Sequence, residues 1–146
     1  MADTSGADVR AAAQHVFNPH SGLCLNVKSY STSPGAPTEI WNCNSNPAER
    51  WEYRSNGNLY NPHSGQCLNV KSYSTSPGAR TEIWPCNGNP AMVWHWRNDE
   101  TLYNPHSGLC LNVKSYSTSP SAPTELWYCN GAPAERWKPF TPPTAA

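Results

Sequence analysis

Trp41, Trp84 and Trp127 each stand two residues after a glutamate (Glu39, Glu82, Glu125) and two before a cysteine (Cys43, Cys86, Cys129). Upstream of each is a Cys-Leu-Asn-Val run that supplies Asn26, Asn69 or Asn112. Side chains alternate along a strand, so Cys24 and Asn26 share one face of theirs while Leu25 and Val27 share the other. In the partner segment Glu39, Trp41 and Cys43 lie opposite Ile40. If Cys24 and Cys43 oppose one another across an antiparallel pair, counting from that rung makes Asn26 face Trp41, Asn69 face Trp84 and Asn112 face Trp127. A large aromatic beside fixed amides and a carboxylate suits a sugar ring. Its C–H face packs on the indole and its hydroxyls take hydrogen bonds.

The elements that must position these groups come in three copies. The stretch from Cys24 to Pro34 returns unaltered from Cys67 to Pro77 and from Cys110 to Pro120, a step of 43 residues each time. Asn18, Asn61 and Asn104 keep the step, as do Trp51, Trp94 and Trp137. One supersecondary unit is repeated, and any activity is expected in triplicate. Recent duplication and deliberate consensus design would both leave copies this alike. The six cysteines fall two per repeat, 19 positions apart, which reads as three internal disulfides, Cys24–Cys43, Cys67–Cys86 and Cys110–Cys129. Buried free thiols are the alternative. Zinc ribbons need close cysteine pairs, and the chain has none.

Composition narrows the class. Leu, Ile, Val and Phe supply 18 of 146 residues, and seven Trp compensate for that poverty. Fifteen Pro and nine Gly interrupt the chain too often for long helices, so the class is all-β. A formal charge of zero without a Lys/Arg cluster argues against a nucleic-acid partner. No continuous apolar stretch is long enough for membrane insertion. The first ten residues lack the hydrophobic core of a signal peptide. Disulfides nevertheless favour a secreted or extracellular setting.

Each repeat reads as four short strands, in the first about His15–Asn18, Cys24–Val27, Thr38–Cys43 and Arg50–Arg54, for twelve in all. Residues 1–14 read as a flexible leader and 141–146 as a Pro/Thr/Ala tail around one domain, 15–140, with repeats of about 15–57, 58–100 and 101–140. Helical repeats of this period need helices that the prolines forbid. Three propeller blades are fewer than the usual four to eight. A closed threefold barrel capped by hairpins remains.

The order Ser21-Gly22-Leu23-Cys24-Leu25-Asn26-Val27, then Gly35, Thr38-Glu39-Ile40-Trp41, Cys43-Asn44 and Glu49-Arg50-Trp51 resembles the ricin B-type lectin repeat, also called carbohydrate-binding module family 13. The resemblance implies a β-trefoil with up to three shallow sugar pockets, no catalysis and no cofactor. It maps the polar sugar ligands to Asn26, Asn69 and Asn112 and the stacking platform to Trp41, Trp84 and Trp127. Glu39, Glu82 and Glu125 take the polar position before the platform, and Asn44, Asn87 and Asn130 the one after the second cysteine. The closing Gln-x-Trp becomes Glu49 and Glu135 in repeats one and three, which are counted with the site, and Met92 in repeat two. That departure predicts the second site to be weakest. Trp51, Trp94 and Trp137 are expected in the core.

Other readings stand beside these. Asn26 and its copies are also suited to satisfying the backbone of the following turn. Tyr30, Tyr73 and Tyr116 belong either to the pocket rim or to the cover of the barrel. His20, His63 and His106 are related by the repeat and so could meet at one metal, but each lies in a Pro-His-Ser-Gly turn that reads as surface. The expected partners are glycans, galactose-type first and xylan or mannose-type next. A targeting module of a secreted glycosidase and a trefoil protein-interaction or inhibitor scaffold are the alternative functions.

Overall fold

The computed structural model describes residues 13–140; the expected tail and most of the expected leader lie outside that range. Twelve strands follow in chain order: β1 His15–Asn18, β2 Leu23–Val27, β3 Thr38–Trp41, β4 Glu52–Tyr53, β5 Leu59–Asn61 and β6 Gln66–Val70. They continue with β7 Thr81–Pro85, β8 His95–Trp96, β9 Leu102–Asn104, β10 Leu109–Val113, β11 Thr124–Trp127 and β12 Lys138–Phe140. The helical pieces among the described residues are six single turns of 3-10 type. This is the expected all-β architecture, a β-trefoil.

The sheets do not coincide with the sequence repeats. They run β12-β1-β2-β3, β4-β5-β6-β7 and β11-β10-β9-β8, so each takes three strands from one repeat and its fourth from the repeat before it. β12 closes onto β1 through His15↔Phe140 and Phe17↔Lys138, which joins the last repeat to the first. Gln14, at the edge of the expected leader, forms a backbone bridge with Trp51.

One face of every hairpin is apolar, and that face makes the core. Leu25, Val27 and Ile40, with their copies Leu68, Val70, Ile83, Leu111, Val113 and Leu126, are fully buried. Trp51, Trp94 and Trp137 are likewise fully buried, and each indole N–H donates to a β-strand carbonyl, of Leu25, Leu68 and Leu111 respectively, at 3.1 Å. An indole can be this deep because its one polar atom is satisfied. Where the three hairpins meet, the hydroxyls of Thr38, Thr81 and Thr124 bond one another at 2.6–2.7 Å in a closed ring. Each can donate once and accept once around the pseudo-threefold axis.

The register differs by two residues from the one read off the cysteines. Cys24 pairs with Trp41, and Asn26 pairs with Glu39 rather than with Trp41; the same holds for Asn69 with Glu82 and Asn112 with Glu125. The bridge Cys24–Cys43 is present, with Cα atoms 5.1 Å apart, but Cys43 lies beyond the end of β3 and its chain curls back to reach Cys24. A shift of two keeps every side chain on its expected face, because strand periodicity is two. Cys67–Cys86 and Cys110–Cys129 also form, so all six cysteines are paired.

Candidate functional site

On the solvent side of each hairpin the new register brings asparagine and glutamate into direct contact. The Nδ2 group of Asn26 donates to Glu39 Oε2 at 2.8 Å, Asn69 to Glu82 at 2.9 Å and Asn112 to Glu125 at 3.1 Å. Six residues that could each have faced water are thereby buried, with exposures of 4–6%. The carbonyl oxygens of Asn26 and Asn69 are buried and have no hydrogen-bond partner among the described residues. An unpaired acceptor of this kind is costly unless something supplies a donor. Burial pushes the Glu39 carboxyl above its ordinary range, opposed by the bond from Asn26 and by the charge of Lys28.

Beside each pair stands an indole that the fold leaves open. Trp41, Trp84 and Trp127 are 36%, 39% and 39% exposed, where Trp51, Trp94 and Trp137 are at zero. At Trp41 the wall encloses a cavity of about 340 Å³ bounded by Asn26, Glu39, Asn46, Tyr30 and Ser121. At Trp84 a cavity of about 450 Å³ is bounded by Asn69, Glu82, Asn89, Tyr73 and Lys71. Of the three tyrosines suited to either rim or cover, Tyr30 and Tyr73 line these cavities, and Tyr30, Tyr73 and Tyr116 are all about half exposed. Tyr30 and Tyr73 have φ of +65°, a backbone conformation that a bulky side chain rarely takes and that marks positions worth a functional reading.

Other residues expected at the site lie elsewhere. Glu49 and Glu135 are fully buried beneath the 3-10 turns Pro47–Glu49 and Pro133–Glu135. Their Oε1 atoms accept the backbone N–H of Asn44 at 2.9 Å and of Asn130 at 3.1 Å. Burial lifts the Glu135 carboxyl to about 7, against the hydrogen bonds from the Asn130 and Gly131 backbone and the charge of Arg97. Met92 fills the corresponding buried place in the second repeat, so the departure there changes the interior and not the lining of the Trp84 cavity. Asn44, Asn87 and Asn130 are exposed, and each folds its own turn by accepting the N–H two residues on, that of Asn46, Asn89 and Ala132.

The amides at the first two cavities are instead Asn46 and Asn89. Each spends its Oδ1 on a turn N–H, of Ala48 at 2.8 Å and Ala91 at 2.7 Å, and among the described residues its Nδ2 group meets no protein acceptor. Their signal in the sequence is the Asn-Pro pair that opens the 3-10 turn, a capping pattern. In the third repeat Ala132 holds this position and the side-chain cap is missing. That repeat also carries Tyr128, 57% exposed and set edge-on to Trp127 at 5.5 Å.

Two groups of metal-ligand side-chain types are committed elsewhere. His63, His106 and His20 each lie against a tyrosine of the neighbouring repeat (Tyr30 at 5.5 Å, Tyr73 at 5.3 Å, Tyr116 at 6.2 Å) instead of converging. His15, Cys24 and Glu49 do come together within 4.8 Å, but the Cys24 sulfur is committed to its disulfide with Cys43 and so is no thiolate ligand.

A three-part trefoil with one open indole and one buried Asn–Glu pair per repeat is the architecture of a ligand-binding domain. The family profile described as "Ricin-type beta-trefoil lectin domain" matches residues 12–137, and the chain belongs to that family of carbohydrate-binding domains. Among solved structures it is similar to the designed threefold-symmetric protein ThreeFoil, with 28% identity and a TM-score of 0.83 over 89% of this chain and 99% of that one. The agglutinin from Abrus precatorius shares the fold at 22% identity and a TM-score of 0.78, over 88% of this chain and 48% of that one. So does the C-half of the earthworm R-type lectin, solved in complex with GalNAc, at 14% identity and 0.75, over 90% and 99%. No curated protein matches the chain.

Proposed function

We propose that the domain binds galactose-type residues of glycans, one at each of Trp41, Trp84 and Trp127, and holds multivalent glycans by using its sites together. The observation that carries this reading is the open indole standing over a buried carboxylate–amide pair, built three times by the same local sequence. The apolar face of a pyranose stacks on the ring, while its hydroxyls donate to Glu39 or the unpaired Asn26 carbonyl and accept from the Asn46 amide. The structure of the earthworm lectin half with GalNAc supports the galactose class. Three disulfides support a secreted, extracellular setting.

Each cavity is open to solvent, so a single site is expected to be weak, with a Kd of roughly millimolar, about 4 kcal/mol. Three such sites on one rigid body raise the avidity for a multivalent glycan by roughly 10² or more. Titration with galactose, xylose and mannose oligomers, followed by tryptophan fluorescence, tests the reading. A response to the galactose series that falls stepwise as Trp41, Trp84 and Trp127 are replaced by Ala is expected. A response confined to xylose or mannose oligomers overturns the sugar class, and silence toward every glycan overturns the carbohydrate reading in favour of a protein-binding scaffold.

A further inference from the structure

The cavity at Trp41 is assembled from two repeats. The loop after β2 ends by donating a backbone N–H to the next repeat's strand: Gly35 to the Ile83 carbonyl at 2.8 Å, Gly78 to Leu126 at 2.7 Å, and Ser121 to Ile40 at 2.7 Å. Positions 35 and 121 therefore sit beside the indole of the following repeat. A Cβ placed on Gly35 would lie 3.9 Å from Cζ3 of Trp84, and Ser121 lines the cavity at Trp41. All three positions have positive φ, +91°, +91° and +79°. Glycine takes that conformation freely and serine does not.

The stretch from Cys24 to Pro34 and its two copies are identical, yet the residue that follows is Gly, Gly and then Ser. The departure falls where the backbone opposes a side chain, which points to a use for that side chain. Ser121 is exposed, and among the described residues its hydroxyl has no hydrogen-bond partner. At the Trp84 cavity the equivalent place offers only the bare backbone of Gly35. The first cavity thus has a free donor and acceptor at the edge of its aromatic platform that the second lacks.

We infer that Ser121, supplied by the third repeat, is a specificity-determining residue of the first site, reading a hydroxyl at the edge of a sugar stacked on Trp41. The inference rests on the carbohydrate reading above and makes the three sites unequal. The test uses proteins with one site intact: Trp84→Ala with Trp127→Ala for the first, and Trp41→Ala with Trp127→Ala for the second. Each is titrated with galactose and its monodeoxy derivatives by NMR. One derivative is expected to bind the first site roughly threefold to tenfold more weakly than galactose, the worth of one neutral hydrogen bond, with no such loss at the second. Ser121→Gly erases that discrimination, and Gly35→Ser installs it at the second site.

Ser121→Gly removes backbone strain, so its melting temperature should equal or exceed that of the parent. Galactose binding with the same deoxy profile before and after Ser121→Gly overturns the serine inference and leaves the carbohydrate reading standing. Absence of sugar binding in every single-site protein, all of them folded, overturns both.

Discussion

Each repeat carries two tryptophans ten residues apart, and the fold treats them in opposite ways. Trp51, Trp94 and Trp137 are sealed in the core with their N–H groups bonded to strand carbonyls, whereas Trp41, Trp84 and Trp127 keep more than a third of their surface in water. The residue type is the same, so the difference lies in strand position. Trp41 projects from the face of β3 opposite the buried Ile40. Trp51 lies beyond the 3-10 turn, where its backbone bridges to Gln14 and its ring enters the barrel. One trio stabilises the trefoil and the other is free to work, and replacing either tests that division.

The inner trio should give the largest effect. Trp51→Ala leaves a ring-sized hole and an unpaired Leu25 carbonyl, and is expected to cost about 3–5 kcal/mol in denaturant unfolding. A loss below about 1 kcal/mol would erase the contrast between the two trios. The inner layer also holds Glu135. Its folded value of about 7 is above the ordinary 4.5, so the folded state keeps a proton that the unfolded chain releases. That contribution is fully present below pH 4.5 and is lost as pH rises to about 7, amounting to roughly 3 kcal/mol at most. Glu135→Gln should therefore gain stability relative to the parent across that window, as read by thermal melts at a series of pH values. A constant offset between the two proteins would remove Glu135 as the cause.

For the outer trio the expected effect is on binding and not on folding. Trp41→Ala should weaken its own site by roughly tenfold or more, about 1.4 kcal/mol. Its unfolding free energy should stay within about 1 kcal/mol of the parent, because the ring is partly in water already. A variant that binds normally, or one that unfolds, would mean the exposed indoles do not have the role assigned to them. The smallest effect sharpens the comparison among the outer sites. Ala132→Asn restores to the third repeat the cap that Asn46 and Asn89 provide, and is expected to add about 0.5 kcal/mol to stability. It should also bring the third site's affinity toward that of the second.

Much of this was legible in residue spacing. The 43-residue step and the paired cysteines called for three cross-linked units, and alternation along Cys24–Val27 and Thr38–Trp41 assigned Leu25, Val27 and Ile40 to the core, as found. The register differs by two from the one the cysteines imply because cysteines need not oppose one another within a ladder; Cys43 lies past the end of the strand and still comes close enough to Cys24. The motif places Glu49 and Glu135 with the site, yet both are interior. The clue lay in the second repeat, where Met92 stands in their place, since a position that accepts methionine is rarely one that must face water. Spacing points to Asn44 and not to Asn46, because it does not say which amide folds the turn and which lines the cavity.

Local sequence by itself determined the strands and their faces, because alternation and cysteine spacing act over a few residues and return at the same step in each repeat. Only the tertiary structure decided what the candidate site at Trp41 is made of. β12 closes onto β1 and each loop docks on the following repeat, so Ser121 and Trp41, separated by most of the chain, line one cavity. No periodicity within a single repeat encodes that meeting; it follows from closing the barrel.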